Sequence, residues 1–225
     1  MKKKGKINRE KNLEDIWHQV PIDYYQRGVR DNYLQRLWHN GKLKTVFRLI
    51  DLSGKKPRKV LDVGCASGWF LSKIKERYPK AECTGIDVYK KAIDYGREIY
   101  KDLKLLSVDA HDLPFRESSF DLIICTEVLE HVENPEKVLS EIKRLLTPKG
   151  IAIIEMDSGN FLFRIIWYWW TNTRNGAWKD AHIHKFNTHI LEEKINKSGF
   201  KISDKRVFNY TMGVVFCLSK IKLYI

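Results

Sequence analysis

The residues best suited to chemistry in this chain are acids and glycines placed at strand ends. Val60-Leu61-Asp62-Val63-Gly64-Cys65-Ala66-Ser67-Gly68-Trp69 reads as a strand that turns into a helix. Gly64 and Gly68 permit a tight turn and close approach of a ligand to the backbone. The following helix presents free N–H groups at its start. Asp87 ends the next strand, 23 residues after Gly64, where a carboxylate accepts hydrogen bonds from both hydroxyls of a ribose. Asp109-Ala110 ends the third strand at the same edge, and an aspartate there can accept from an adenine amino group. Aspartate at one strand end is common and says little. Three such positions at the carboxyl ends of consecutive strands converge on the crevice where open α/β sheets bind ligands. The dinucleotide pattern Gly-x-Gly-x-x-Gly does not fit, because Ala66 and Trp69 occupy its second and third glycines. That argues against a nicotinamide dehydrogenase.

Those positions require a wound sheet, and the pattern supplies one. Strands are expected over 59–64, 82–87, 104–109, 120–126 and 151–155, with helices over 69–78 and 89–102 between them. The clearest helix starts at Asn134, a natural N-cap, with Pro135 at its first position. Val138, Leu139, Ile142, Leu145 and Leu146 form its apolar face, and Thr147-Pro148-Lys149-Gly150 is expected to stop it. A last helix over 188–198, ended by Gly199, precedes two strand-like runs at 200–208 and 212–219. Residues 12–52 read as helical, with Leu34, Leu37 and Trp38, then Leu43, Val46, Phe47 and Ile50, on apolar faces and Gly41 as an interruption. The expected fold is α/β: a Rossmann-like, doubly wound, mostly parallel seven-stranded sheet with N-terminal helices and an aromatic helical insertion after the fifth strand. Within one domain, 1–57 would be basic helices, 58–157 the core, 158–187 the insertion, and 188–225 the last helix and strands.

At 225 residues, with 43% hydrophobic and 12% aromatic content, the chain can fill a sizeable core. No apolar run reaches the 18 residues of a membrane-spanning helix. The basic start lacks the apolar stretch of a secretory signal. Cys65, Cys83, Cys125 and Cys217 lie far apart without metal-ligand spacing, so they read as reduced, buried residues of a cytoplasmic protein. The net charge of +13 is unevenly distributed. Residues 1–60 carry 16 bases and 6 acids, 61–160 carry 14 and 18, and 161–225 carry 11 and 4. An acidic middle between basic flanks suits a cationic ligand in the middle. The flanks are either solvated surface or a footprint for phosphate, in nucleic acid or an anionic membrane.

Several stretches, in order, resemble the class I S-adenosylmethionine-dependent methyltransferases, in particular the branch of quinone-biosynthesis and related small-molecule enzymes. They are Asp62-Val63-Gly64-Cys65-Ala66-Ser67-Gly68, Gly85-Ile86-Asp87, Asp109-Ala110-His111-Asp112-Leu113-Pro114-Phe115, Ser119-Phe120-Asp121-Leu122-Ile123 and Glu127-Val128-Leu129-Glu130-His131-Val132. The resemblance covers about 58–157, more loosely 184–200, and neither 1–50 nor 157–183. Ala66 stands where the family often has glycine, a small loss of freedom. The resemblance implies S-adenosylmethionine as cofactor. Asp62, Gly64, Cys65, Ala66 and Gly68 would shape the pocket at its methionine end, Asp87 with Val88 would hold the ribose, Asp109 and Ala110 would frame the adenine, and Glu127 would lie beside the sulfonium. Glu127, Glu130 and His131 also resemble the Glu-x-x-Glu-His stretch of quinone O-methyltransferases, where a divalent ion can assist; no metal is expected here. If the acceptor is a hydroxyl, candidate bases are Glu130, His131 and His184. His182 and His184 read as solvent-facing or capping residues rather than ligands. No Asn-Pro-Pro-Tyr, Asp-Pro-Pro-Tyr or Pro-Cys stretch occurs, which disfavours methylation of base amines or of cytosine C5 by those routes.

Four of the seven tryptophans fall within 167–178. Read as a helix, Asp157, Asn160, Arg164, Tyr168, Thr171 and Asn175 make a narrow polar stripe on an apolar cylinder. This helix caps the domain, lines an apolar acceptor pocket, or lies in a membrane interface, where Trp and Tyr are favoured. The expectation is therefore methyl transfer to a hydrophobic or lipid-like small molecule, with O-methylation favoured. The protein would be cytoplasmic, with an anionic membrane surface at the inner face as a partner. The alternatives are an RNA methyltransferase using the basic flanks, and a non-catalytic cofactor-binding or scaffold protein of the same fold.

Overall fold

Two helices lead into the sheet, α1 (Tyr24–Asp31) and α2 (Tyr33–Leu52). In this computed structural model, residues 20–173, 182–184 and 186–221 are described. The lysine-rich start, the helix expected before residue 20, Asn175 and Trp178 lie outside them. The break between helices falls at Asn32, not Gly41. Asn32 Oδ1 accepts from the backbone N–H groups of Leu34 and Gln35 at 3.0 and 3.1 Å, a cap of about 1 kcal/mol. Gly41 sits inside α2 because the chain passes close by: a Cβ there would lie 2.3 Å from Asn209 Oδ1. Leu34 and Leu37, expected on an apolar face, are exposed, while His39, Lys42, Leu43, Val46, Leu49 and Ile50 are buried.

The sheet then follows as β1 (Lys59–Val63), α3 (Trp69–Arg77), β2 (Glu82–Asp87), α4 (Lys90–Ile99), β3 (Lys104–Ser107) and β4 (Phe120–Thr126). After these come α5 (Pro135–Leu145), β5 (Leu146–Asp157), α6 (Phe161–Thr173), α7 (Thr188–Lys197), β6 (Phe200–Phe208) and β7 (Gly213–Lys220). The strand order is β3-β2-β1-β4-β5-β7-β6. The first five strands are parallel, and β7 runs antiparallel to both β5 and β6. This is the expected doubly wound, seven-stranded sheet.

Asn134 caps α5 as expected, accepting from Lys137 N at 2.9 Å. The helix ends before Thr147 as expected, but Leu146 is not on its face: β5 begins there, directly after the helix, and takes in Thr147–Gly150. Asp157 belongs to β5 and not to the aromatic helix, so the expected polar stripe loses its first member. One face of the sheet packs Val138, Leu139, Ile142, Leu191 and Ile195 from α5 and α7. The other packs Val46, Leu49, Ile50, Leu71, Ile74 and Ile93 from α2, α3 and α4. Switching of the crossovers between faces opens the crevice above β1 and β4. All four cysteines are free and buried.

Candidate active site

The turn after β1 is the floor of the site. Gly64, Ala66 and Gly68 take φ of 76°, 47° and 84°. Ala66 thus adopts the left-handed conformation that glycine accepts without penalty, at a cost of about 1–2 kcal/mol. Asp87 compensates by bracing this turn: its Oδ2 accepts from Ala66 N and its Oδ1 from Tyr89 N, both at 2.8 Å. Burial pushes its carboxyl up, opposed by these N–H donors. The same carboxylate lines a cavity of about 110 Å³ together with Gly64, Val88, Ala110, Glu127 and His131. Val20–Tyr25 and the start of α1 close over that cavity, and Gln26 donates to Ser67 Oγ at 2.9 Å.

A smaller cavity shares Tyr25, Gly64 and Glu127 with it and is lined further by His39, Lys42, Asp62 and Cys65. Lys42 is the unexpected member. Its side chain is only 2% exposed, and Nζ lies 2.9 Å from Glu127 Oε2 and 3.1 Å from Glu155 Oε2. Trp38 Nε1 donates to the other Glu127 oxygen at 2.9 Å. Burial works to raise the Glu127 pKa, but Lys42 and His39 outweigh it and leave the carboxyl at about 2. Burial also opposes the charge on Lys42, yet Glu127 and Glu155 hold its pKa at about 12. The other acids are dominated by burial, although Glu155 also meets Lys42 and Asp157 accepts from Gly159 N. Burial, with Asp87 nearby, pushes Asp62 up to about 8. Burial does the same for Glu130 and Asp157 and raises Glu155 well above its ordinary value. Asp62 Oδ2 and Glu130 Oε2 are buried without hydrogen-bond partners.

Asp109 is not aimed at the adenine position. Its side chain is 62% exposed and bonds His111 Nδ1 at 2.7 Å, while Val108 and Ala110 line the cavity. Among the candidate bases, His131 lines the cavity and Glu130 lies beside it. His184 is engaged elsewhere: its Nε2 contacts the Val132 carbonyl at 3.0 Å and its ring stacks on Phe186. His182 is not solvent-facing, as expected from sequence, but half-buried, with its ring 4.9 Å from His131 and stacked at 5.0 Å on Trp167. Burial, with His131 nearby, lowers its pKa to about 4. Donor atoms of Glu130, His131 and His182 lie within 4.8 Å of one another. Glu127 is not part of that group, because Lys42 and Trp38 hold it. The Glu-x-x-Glu-His stretch therefore does not converge as one set of metal donors.

From α6, Phe163 meets Trp38 at 6.2 Å and Trp167 at 5.6 Å. A row of rings thus leads from α2 to His131. Sequence reasoning missed Tyr25, Trp38, His39, Lys42 and Glu155. The available signal was a lysine and a histidine flush with the buried stripe of Val46 and Ile50.

The crevice suits an adenosyl cofactor carrying positive charge. A buried carboxylate braced by backbone N–H groups, a glycine turn and a glutamate held by Lys42 line two cavities that share Tyr25, Gly64 and Glu127. A methyltransferase-domain family model matches residues 61–154. A demethylmenaquinone methyltransferase of Thermotoga maritima is 27% identical over 175 residues, covering 70% of this chain and 76% of the relative. A ubiquinone biosynthesis O-methyltransferase of an Azoarcus species is 34% identical over 122 residues, half of this chain and 51% of its own length. Among solved structures, the N-methyltransferase NodS of Bradyrhizobium japonicum, in complex with S-adenosyl-L-homocysteine, superposes with a TM-score of 0.67. That match covers 94% of this chain and 98% of the other at 17% identity. Fold, cofactor crevice and relatives together identify the chain as a class I S-adenosylmethionine-dependent methyltransferase.

Proposed function

We propose that the protein methylates a hydroxyl of a hydrophobic, lipid-like small molecule, and that it does so while docked on an anionic membrane surface. The observation that carries this reading is the shape of α6. Its inward residues Phe163 and Trp167 continue the aromatic row toward His131. Its outward residues Phe161, Leu162, Ile165, Ile166, Tyr168 and Trp169 are exposed, Phe161 to 79%. Among the described residues no helix is long and apolar enough to cross a membrane. A 13-residue helix with such a face suits the plane of the interface. Exposed Arg164 within it, and exposed Arg36 beside Leu34 and Leu37 on α2, favour an anionic leaflet by about 1 kcal/mol each.

Bound in the crevice, S-adenosylmethionine supplies an electrophilic methyl group and leaves as a neutral thioether. The chain's own contribution is to align, desolvate and receive a proton. Asp87 fixes the ribose end, and Gly64 and Asp62 shape the methionine end. Glu127 keeps a negative charge facing the cavity. His131 sits where an acceptor hydroxyl would lose its proton. Glu130, raised by burial to about 8, is the neighbouring group that can take that proton once it is itself ionised, above that pH. The two named quinone-pathway relatives support an apolar acceptor.

RNA is the weaker reading. The lysines that share one groove, Lys55, Lys149, Lys201 and Lys220, lie at the amino ends of β5 and β6 and the far end of β7, opposite the crevice. A polyanion held there does not reach Glu127. The test is incubation with methyl-labelled cofactor, separate lipid and RNA fractions, and anionic liposomes. Label in the lipid fraction is expected, together with cosedimentation that falls when Phe161, Ile165 and Trp169 become serine. Label in RNA alone, or liposome binding indifferent to all three changes, refutes the reading.

A further inference from the structure

We propose that Lys42, assisted by Trp38, is a positioning residue for the cofactor: from α2 it holds Glu127 as a carboxylate facing the cavity that receives the cofactor's cationic end. The inference rests on the assignment of S-adenosylmethionine as cofactor. A lysine 2% exposed is costly to bury, and a fold retains one only with compensating charge. Here the compensation is lopsided. Lys42 touches two carboxylates, Glu127 at 2.9 Å and Glu155 at 3.1 Å, and Glu127 also accepts from Trp38 Nε1. Glu155 is fully enclosed, with its pKa raised well above the ordinary value. The Glu127 side chain remains 25% exposed and lines both cavities.

Position explains the choice. Asp87 marks the ribose end of the larger cavity, and Glu127, like Gly64, lines both that cavity and the smaller one. In S-adenosylmethionine the sulfonium joins the ribose to the amino-acid chain, so its charge falls beside Glu127. Besides Lys42, the hydrogen bond from Trp38 favours the Glu127 carboxylate, while burial and the neighbouring acids oppose it. Glu155 and Asp157 from β5, and Glu130 from the loop after β4, repel its charge. Tyr25 of α1 is neutral, and His39 and His182 are neutral at physiological pH because burial lowers them to about 4. Among the described residues, Lys42 is the lysine paired with Glu127. Its backbone strain marks the same residue: Glu127 has φ 54°, which a non-glycine residue keeps only when its surroundings hold it.

The test is calorimetric titration of S-adenosylmethionine into wild-type, Lys42→Met, Lys42→Arg and Trp38→Phe proteins between pH 6 and 9. The wild-type profile carries the cofactor's own titration and is divided out. Without Lys42, burial lifts Glu127 toward its neighbours' range near 8. Relative affinity then falls about tenfold per pH unit below that value, on the order of 100-fold from pH 8 to pH 6. At pH 9 the variant binds as well as wild type or better, since a like charge beside the sulfonium is gone. Lys42→Arg restores the flat profile. A merely structural role shifts affinity equally at every pH, and a parallel profile overturns the proposal. If Lys42→Met does not fold, Trp38→Phe decides. A loss of about fivefold, larger at pH 6 than at pH 9, supports the proposal; an equal loss or none overturns it. Failure of the wild-type protein to bind the cofactor at any pH would instead remove the assignment of function.

Discussion

Replacing Asp87 with alanine should separate the binding of the cofactor from the stability of the fold. In the unliganded protein its carboxylate accepts two backbone N–H groups, Ala66 and Tyr89, each at 2.8 Å. Hydrogen bonds to a charged group contribute about 1.5–3 kcal/mol each. Their loss is partly offset, because the buried carboxylate whose pKa is already raised no longer has to be kept dry. Net destabilisation is therefore about 1–3 kcal/mol, or roughly 3–10 °C in Tm for a chain of this size. The ribose hydroxyls would add two further charged hydrogen bonds that exist only in the complex. Their loss is worth about 3–6 kcal/mol, a drop in affinity of about 10²–10⁴. Calorimetry with S-adenosylhomocysteine and its 2′-deoxy counterpart tests this directly. Wild-type protein should prefer the hydroxylated ligand by about tenfold or more, and Asp87→Ala should lose the preference together with the affinity. A variant that binds within about fivefold of wild type, or that still discriminates between the two ligands, refutes the assignment of Asp87 to the ribose.

Two further outcomes follow from the same site. Gly64 has φ 76° and a Cβ there would lie 2.2 Å from Val128 Cγ2, so Gly64→Ala should cost about 2 kcal/mol or more and weaken cofactor binding. Adding Val128→Ala should recover the steric part of the Tm loss but not the conformational part; full recovery or no loss contradicts the geometry. Asp62, Glu130 and Asp157 each carry a folded pKa of about 8, above the unfolded range near 4. Their contribution to stability is fully present below that range and is lost as pH rises through 8. The unliganded Tm should therefore fall between pH 5 and 8, each group contributing up to ~1.4 kcal/mol per pH unit, and a cationic ligand should lessen the fall. A Tm that is flat or rises over that window contradicts the burial of these acids.

Local signals carried most of the architecture. The cap at Asn134, the proline after it, and the alternation of apolar runs with helical spacing are short-range facts, and they placed the sheet and its glycine turn correctly. Asp87 was legible for the same reason, since a strand end fixes where a side chain emerges. What was not legible depended on distant partners. Gly41 looked like a break until the turn at Asn209 showed what fills the space beside it. Asp109 lies two residues past the end of β3, not in it as expected, and turns outward to His111. Lys42 gains meaning only from Glu127 and Glu155, more than eighty residues later, and His182 only from the fold of the segment that returns it to His131.

The segment Val20–Tyr25 has a steric consequence. A cavity of about 110 Å³ is well below the ~300 Å³ at which pockets for ligands of this size begin. A ligand that needs more room there displaces that segment and parts Gln26 from Ser67 and Tyr100. It must also loosen Tyr25 from the ring of His39, which lies against Trp69. The room available in the crevice is thus tied to the chain ahead of the sheet, through the contacts that lay α1 against Ser67 and His39.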